Sequence, residues 1–160
     1  MISKGKGVTP MLSPTEFVPF YAGIGTKKCS NSTVRLLLAA VLAGFFIASG
    51  AVAASVASYG VENPSAARVV SGLLFPFGLI MVILTGAELF TGNCMITISL
   101  LERKVTLAGM ARNLAVVYLG NFIGAALLAS AVAWGGVFYN GTRGMYAIQT
   151  AAKKCQLAPG

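Results

Sequence analysis

Long apolar runs dominate the chain and predict membrane crossings. Leu36 to Val56 is a run of 21 residues without a charge, and Leu114 to Val137 is another of 24. As a helix, each run is long enough to span the roughly 30 Å of hydrocarbon in a bilayer, at about 1.5 Å per residue. The pattern therefore indicates an all-α integral membrane protein.

The apolar stretch between these two runs is too long for one straight crossing. Val69 to Leu101 comprises 33 residues, which as a helix would extend about 50 Å. Polar and small residues interrupt it at Thr85-Gly-Ala-Glu-Leu-Phe-Thr-Gly-Asn93. Irregular backbone persists at bilayer depth only inside protein or beside a cavity, because unpaired backbone groups cost several kcal/mol there. We therefore predict a broken second transmembrane helix, with a loop near 85–93 that is the working part of the protein.

Composition supports a membrane protein and argues against other classes. The chain is 56% hydrophobic and 10% charged, whereas soluble proteins carry about 25% charged residues. Its net charge is +8, but the basic residues lie between apolar runs and form no basic surface, so we expect no nucleic-acid binding. There is no histidine, and the three cysteines lie far apart. We therefore predict no metal site, no cofactor and no catalytic residues.

The basic residues instead predict an orientation. Eight of the 12 precede the first apolar run or lie between the second and third, so the positive-inside rule places the N-terminus in the cytoplasm. Lys153 and Lys154, beyond the third crossing, run against this rule. The predicted organisation is a cytoplasmic segment with an amphipathic helix (1–33), crossings at 34–58, 69–101 and 112–138, and an outer loop at 139–160. The amphipathic helix is expected to begin at Ser13, with a capping box to Glu16.

The interrupted crossing also carries a family resemblance. Phe75-Pro-Phe-Gly-Leu79 followed by Gly86-Ala-Glu-Leu-Phe-Thr-Gly-Asn93 resembles the signature of the formate/nitrite transporter family. Gly120-Asn-Phe-Ile-Gly124 resembles that family's third helix, and Ile148-Gln-Thr-Ala-Ala-Lys-Lys154 resembles the approach to its fourth. In order and spacing the resemblance extends over nearly the whole chain.

The resemblance implies an aquaporin-like helical bundle, a homopentamer with one pore per protomer, and a bacterial cytoplasmic membrane. It implies passive or proton-coupled passage of small monovalent anions or their neutral acids, such as formate, nitrite or hydrosulfide. The family has twice as many crossings, arranged as two inverted halves, a common design in transporters. This chain resembles the N-terminal half. We therefore expect a fragment or a cleaved product that needs the C-terminal half of the fold.

By resemblance, an apolar constriction is formed by Phe75, Leu79, Leu89 and Phe90. Core packing is the alternative, especially for Phe75. An apolar neck makes physical sense as a filter, because a bare anion loses its hydration there at a cost of many kcal/mol and a neutral acid does not.

The resemblance assigns two further side chains to the pathway. Thr91 is expected to face the pore, although its hydroxyl could instead bond the loop backbone. Lys154, or Lys153 beside it, corresponds to a lysine near the pore centre, where a cation raises the local anion concentration. The alternative is a solvated lysine of the outer loop.

Glu88 is the acid within the interrupted crossing, which makes it a functional candidate. In an anion pathway, however, an ionised carboxylate would repel the substrate. We therefore predict that Glu88, together with Asn93, is a structural anchor of the loop, and that backbone N–H groups hold its carboxylate. Arg68 and Lys104 are not expected to pair with it, because they lie near opposite membrane ends.

Two other classes of protein are alternatives to a transporter. A membrane enzyme or cofactor subunit would need metal or haem ligands, and the sequence offers no histidine and no paired cysteines, so we predict that the chain is not an enzyme. A non-transporting scaffold subunit is the second alternative. It predicts that the 160 residues fold stably alone.

Overall fold

A computed structural model describes residues 13–137 and 141–156, which form helices and contain no strand. The helices are, in chain order, α1 (Pro14–Ser30), α2 (Thr33–Ser58), α3 (Pro64–Leu74), α4 (Pro76–Thr85), α5 (Phe90–Asn93), α6 (Ile96–Leu101), α7 (Leu107–Trp134) and α8 (Gly141–Cys155). The predicted all-α class is confirmed.

Three apolar stretches are long enough to cross a membrane: α2, α3 together with α4, and α7. They contain 26, 22 and 28 residues, which correspond to about 39, 33 and 42 Å of helix. Regular helical hydrogen bonding in the second stretch is interrupted at Phe75, between α3 and α4, although the backbone of Phe75 keeps helical dihedral angles. Proline at the start of α4 has no N–H to donate to the preceding turn. The structure thus contains three helical stretches of crossing length.

Helix α2 is the centre of the packing, and small residues let its neighbours approach closely. A Cβ atom on Gly124 of α7 would overlap the Val41 carbonyl oxygen of α2, and one on Gly44 would overlap the Asn121 carbonyl oxygen. Gly50 of α2 and Gly78 of α4 meet in the same way. Close backbone contact is a usual source of helix association in membranes, where lipid is as apolar as the side chains.

Helix α1 begins as the sequence predicts. The Glu16 carboxylate accepts hydrogen bonds from the Ser13 backbone N–H at 3.0 Å and from the Ser13 hydroxyl at 2.8 Å. These bonds lower the pKa of the Glu16 carboxyl below its usual value. The helix then continues through Pro19 and packs on α6, where Gly25 lies against Ser99.

The helix boundaries differ from the predicted ones at several points. The second stretch begins at Pro64 and not at residue 69, because the Asn63 side chain caps it through the N–H groups of Ser65 and Ala66. Helix α7 begins at Leu107 and not at residue 112, because the Thr106 hydroxyl accepts the Gly109 N–H. Both starts are set by polar capping residues outside the apolar runs.

The end of the chain also differs from the prediction. An outer loop was expected over 139–160, whereas the structure has helix α8 over Gly141–Cys155. The segment from Met145 to Lys154 is free of glycine and proline and rich in alanine, glutamine and lysine, which are good helix formers. The prediction placed this segment only by its position after the third crossing and did not consider its helix propensity.

The prediction for the fold concerns the crossing of α2 and α7. Gly124→Ala should lower the free energy of unfolding by about 1–3 kcal/mol, because the added methyl group forces two backbones apart. Thermal unfolding of the purified protein in detergent, followed by circular dichroism, measures this effect. Gly72→Ala is the matched control, since nothing lies within 4 Å of its Cβ position. Equal effects of the two variants would contradict the close crossing.

Candidate functional site

The second crossing stretch ends in a turn and a short irregular segment. Gly86 follows α4 with φ of 65°, in the left-handed region that glycine adopts without strain. The Ala87 N–H returns to the Val82 carbonyl at 3.1 Å and closes the end of the helix. Residues 86–89 are not helical, and the single turn α5 follows at Phe90. We call residues 86–93 the loop segment.

The loop segment is tied to α1 by an ion pair. The Lys28 Nζ lies 2.5 Å from a Glu88 carboxylate oxygen. The same Nζ donates a hydrogen bond to the Asn93 Oδ1 at 2.9 Å. Glu88 is 8% exposed and Asn93 is fully buried. One cation from the last turn of α1 therefore holds two side chains of the loop segment, Glu88 and Asn93.

The partner of Glu88 corrects the prediction that backbone N–H groups hold its carboxylate. Within the described residues, the group that donates to this carboxylate is the Lys28 ammonium. The reason is electrostatic, since a carboxylate removed from water is stabilised far better by a full charge at hydrogen-bond distance than by neutral donors. Arg68 and Lys104 make no ion pair with it, in agreement with the sequence analysis.

Asn113 of α7 connects Asn93 to the end of α1. The Asn93 Nδ2 donates to the Asn113 Oδ1 at 2.8 Å, and the Asn113 Nδ2 donates to the Lys28 carbonyl oxygen at 3.0 Å. Together with the bond from the Lys28 Nζ to Asn93, these contacts form a closed ring of three residues. A fully satisfied buried network of this kind makes a local conformation rigid.

The backbone of the loop segment is held from α2 and α7. The Glu88 N–H donates to the Ala39 carbonyl oxygen at 3.2 Å. Asn121 of α7 accepts the Phe90 N–H at 2.9 Å and donates to the carbonyl oxygens of Glu88 at 2.9 Å and of Ala40 at 2.8 Å. Backbone groups that have left the helix are thereby paired inside protein, as a bilayer environment requires.

Phe90 points into the protein core. Its side chain packs against Leu36, Ala40 and Val117, the buried cluster between α2 and α7. Its ring also meets that of Tyr118 edge-on, with the centroids 5.5 Å apart. The side chain therefore secures the loop segment to the crossing of these two helices.

Leu79, Leu89 and Thr91 lie on the other side of the loop segment and line one recess of about 290 Å³, which we call the Thr91 recess. Thr91 is exposed, and its hydroxyl makes no hydrogen bond within the described residues. Among these residues, the Thr91 hydroxyl therefore does not bond the loop backbone, which was the alternative to facing the pore. Tyr21 also borders the recess, and its hydroxyl donates to the Gly92 carbonyl oxygen at 3.2 Å.

A larger recess of about 900 Å³ lies among the ends of α2, α3 and α8, and we call it the Arg68 recess. Phe75 lines it and is 46% exposed. Arg68 and Lys153 contribute cations to its lining, and Glu62 contributes an acid. Lys154 follows within α8, and its side chain lies outside the part of the chain that the structure describes.

The two recesses are separated by a short apolar step along one helix face. Phe75 borders the Arg68 recess and Leu79 borders the Thr91 recess, and side chains four residues apart on a helix lie on the same face. The arrangement places apolar side chains between a recess with two cations and a recess with a free hydroxyl. Within the residues described, no cluster of histidine, cysteine, aspartate or glutamate could hold a metal ion.

Sequence reasoning missed the residues that hold the loop segment. In the sequence, Lys28 is one of several basic residues that predict only orientation, and Asn113 is not marked by any motif. A buried acid signals that a cation must approach it, but the sequence offers 12 lysines and arginines. No local sequence pattern identifies Lys28, 60 positions before Glu88, as that cation.

Comparison with known proteins identifies the same family that the sequence motifs resemble. The family model described as formate/nitrite transporter matches residues 16–160. The chain is 30% identical to a probable formate transporter of Methanothermobacter thermautotrophicus, over 73% of this chain and 44% of that protein. It is 30% identical to the formate channel FocA of Haemophilus influenzae, over 89% of this chain and 52% of that protein.

A formate-nitrite transporter of Plasmodium falciparum is 34% identical, over 72% of this chain and 41% of that protein. The chain thus spans about half the length of the curated relatives it matches. These relatives are named as transporters and channels, which are not enzymes.

The prediction for the site concerns the buried ion pair. Lys28→Met should lower the free energy of unfolding by about 3 kcal/mol, because it leaves the Glu88 carboxylate buried without a cation. Denaturation of the purified protein in detergent measures the loss. The double variant Lys28→Met with Glu88→Gln should recover part of it.

Lys27→Met is the matched control, because the Lys27 side chain has no ion pair or hydrogen bond in the described residues. It should change the free energy of unfolding by less than about 0.5 kcal/mol. If the two lysine variants were equally stable, the role of the Lys28–Glu88 pair would be refuted.

Proposed function

Because this chain belongs to the formate/nitrite transporter family, we propose that it forms half of a membrane pathway for small monovalent weak-acid anions or their neutral acids. Formate is the first candidate, since relatives from two organisms are named for it. In this proposal, α3, α4 and the loop segment form one broken transmembrane helix within an aquaporin-like bundle. The C-terminal half of the fold covers the open side.

One observation carries the proposal. Phe75 borders the Arg68 recess, and Leu79, one helical turn further on, borders the Thr91 recess together with Leu89 and Thr91 of the loop segment. A pathway that follows the recesses would pass an apolar step and then a hydroxyl. Phe90, which the resemblance had placed in the constriction, instead acts in this proposal as the packing anchor that positions Leu89 and Thr91.

The apolar step supplies selectivity. A bare anion that enters it loses hydration without a replacement partner, at a cost of many kcal/mol, while a neutral acid crosses far more easily. The Thr91 hydroxyl, which borders the recess beside Leu79 and Leu89, offers a hydrogen bond to a substrate next to the apolar step. Glu88 does not repel the anion, since its carboxylate faces Lys28.

In this proposal, basic side chains near the pathway attract the substrate anion. Arg68 and Lys153 border the recess on the far side of Phe75, and the family resemblance gives Lys154 the same role. Positive charge near a pathway raises the local anion concentration. It also lowers the pKa of a bound acid, so these groups favour capture of the anion more than passage of the neutral acid.

The proposal extends to assembly and location. We propose a homopentamer in the bacterial cytoplasmic membrane with the N-terminus in the cytoplasm. The charge distribution supports this orientation, because eight of the 12 basic residues lie before Leu36 or between Leu101 and Leu114.

Formate flux into proteoliposomes that contain the full-length protein tests the pathway. Thr91→Val keeps the side-chain shape and removes the hydroxyl, so flux should fall about fivefold, the value of one hydrogen bond of about 1 kcal/mol. Leu89→Ala should widen the step and raise lactate flux relative to formate flux.

Thr97→Val is the matched control, because the Thr97 hydroxyl bonds the Cys94 carbonyl oxygen within its own helical turn and does not line the Thr91 recess. Its formate flux should equal that of the unmodified protein. Unchanged flux and selectivity in both Thr91→Val and Leu89→Ala would reject the proposed pathway.

A further inference from the structure

A third recess, of about 270 Å³, lies between α1, the start of α2 and the loop segment. We call it the Arg35 recess. Lys27, Lys28 and Arg35 provide three cations to its lining, and Asn31 provides an amide. Glu88 is the acid in that lining, and its carboxylate is occupied by Lys28. The recess therefore carries a net positive charge that its own residues do not neutralise.

Two of these cations have no partner in the described residues. Neither the Lys27 ammonium nor the Arg35 guanidinium makes a hydrogen bond or an ion pair there, and both residues are exposed. Arg35 also lies in the first turn of α2, which contains no acid. The N-terminal end of a helix carries partial positive charge, so a cation in that turn is disfavoured unless an anion lies near it.

From this arrangement we propose that the Arg35 recess binds the phosphate group of an anionic phospholipid, held by Lys27 and Arg35. A planar guanidinium matches the oxygens of a phosphate, and an ammonium adds a point charge. Basic recesses between helices on the cytoplasmic side of membrane proteins commonly take anionic headgroups. Lys27 and Arg35 line neither the Thr91 recess nor the Arg68 recess, whereas Lys28 and Gly86 border both the Arg35 recess and the Thr91 recess.

The surface beside the recess favours a lipid over a free anion. Val34 and Leu38 flank Arg35 on α2 and are 69% and 65% exposed. They belong to a helix of crossing length, so their side chains suit contact with acyl chains. A phospholipid can place its phosphate in the recess and its chains along this face, whereas inorganic phosphate would use the recess alone.

Native mass spectrometry of the purified protein in detergent tests the site. Dioleoylphosphatidylglycerol is titrated against the unmodified protein and against the double variant Lys27→Gln with Arg35→Gln. The dissociation constant should rise about thirtyfold in the double variant, because two cations that each attract the headgroup are removed. Dioleoylphosphatidylcholine should bind both proteins equally.

Two further variants keep the test decisive. Arg103→Gln with Lys104→Gln removes the same charge from the link between α6 and α7, outside the recess, and should bind phosphatidylglycerol like the unmodified protein. Lys27→Arg with Arg35→Lys retains the charge and should bind within about threefold of it. This charge-retaining variant separates a lost site from a misfolded protein.

Three results would overturn the proposal. The first is equal affinity of the unmodified protein and the Lys27→Gln, Arg35→Gln variant for phosphatidylglycerol. The second is an equal loss of affinity for phosphatidylglycerol in the Arg103→Gln, Lys104→Gln variant, which would show that affinity depends only on the net charge of the protein. The third is binding of inorganic phosphate as tight as that of phosphatidylglycerol and equally sensitive to Lys27 and Arg35, which would assign the recess to a free anion.

Discussion

The pairing of Lys28 with Glu88 is the interaction on which the loop segment depends. A carboxylate at the end of an apolar helix is unstable unless a cation reaches it, because removing an ion from water costs several kcal/mol. Here the cation comes from α1, which lies before all the helices of crossing length. The same ammonium also donates a hydrogen bond to Asn93. A single charge on α1 therefore holds two residues of the loop segment and ties this segment to α1.

The remaining contacts determine which side chains of the loop segment face the protein core and which line the Thr91 recess. Asn121 satisfies the backbone on both sides of Leu89, and Phe90 fills the core between α2 and α7. With those groups turned inward, Leu89 and Thr91 are left on the side of Leu79. Close approach of the helices at Gly44 and Gly124 permits this geometry, since a longer distance between α2 and α7 would carry Asn121 away from the loop segment.

Sequence reasoning was strongest where physical constraints are local. The length of the apolar stretch from Val69 to Leu101 and the polar and small residues from Thr85 to Asn93 predicted an interruption of regular helix, and the apolar runs predicted the helices of crossing length. The capping box of α1 was likewise readable from Ser13 and Glu16. The helix boundaries set by Asn63 and Thr106 were less accessible, because they depend on single polar residues outside the runs.

The parts that could not be predicted depend on contacts between distant positions. Glu88 was recognised as an anchor, but its partner Lys28 is 60 positions away and resembles any other basic residue near a crossing. Phe90 and Leu89 are adjacent in sequence, yet they face opposite sides because Leu89 has extended backbone and Phe90 begins a helical turn. Only the three-dimensional arrangement separates an anchoring aromatic ring from a side chain that lines a recess.

The most direct measurement is the accessibility of single cysteines in the loop segment, in a protein whose own cysteines at positions 29, 94 and 155 are replaced by serine. A small anionic thiol reagent should modify Thr91→Cys and block formate flux, whereas Phe90→Cys should stay unmodified inside the core. Equal modification of the two cysteines, or modification of Phe90→Cys alone, would contradict the orientation of the loop segment and the pathway built on it.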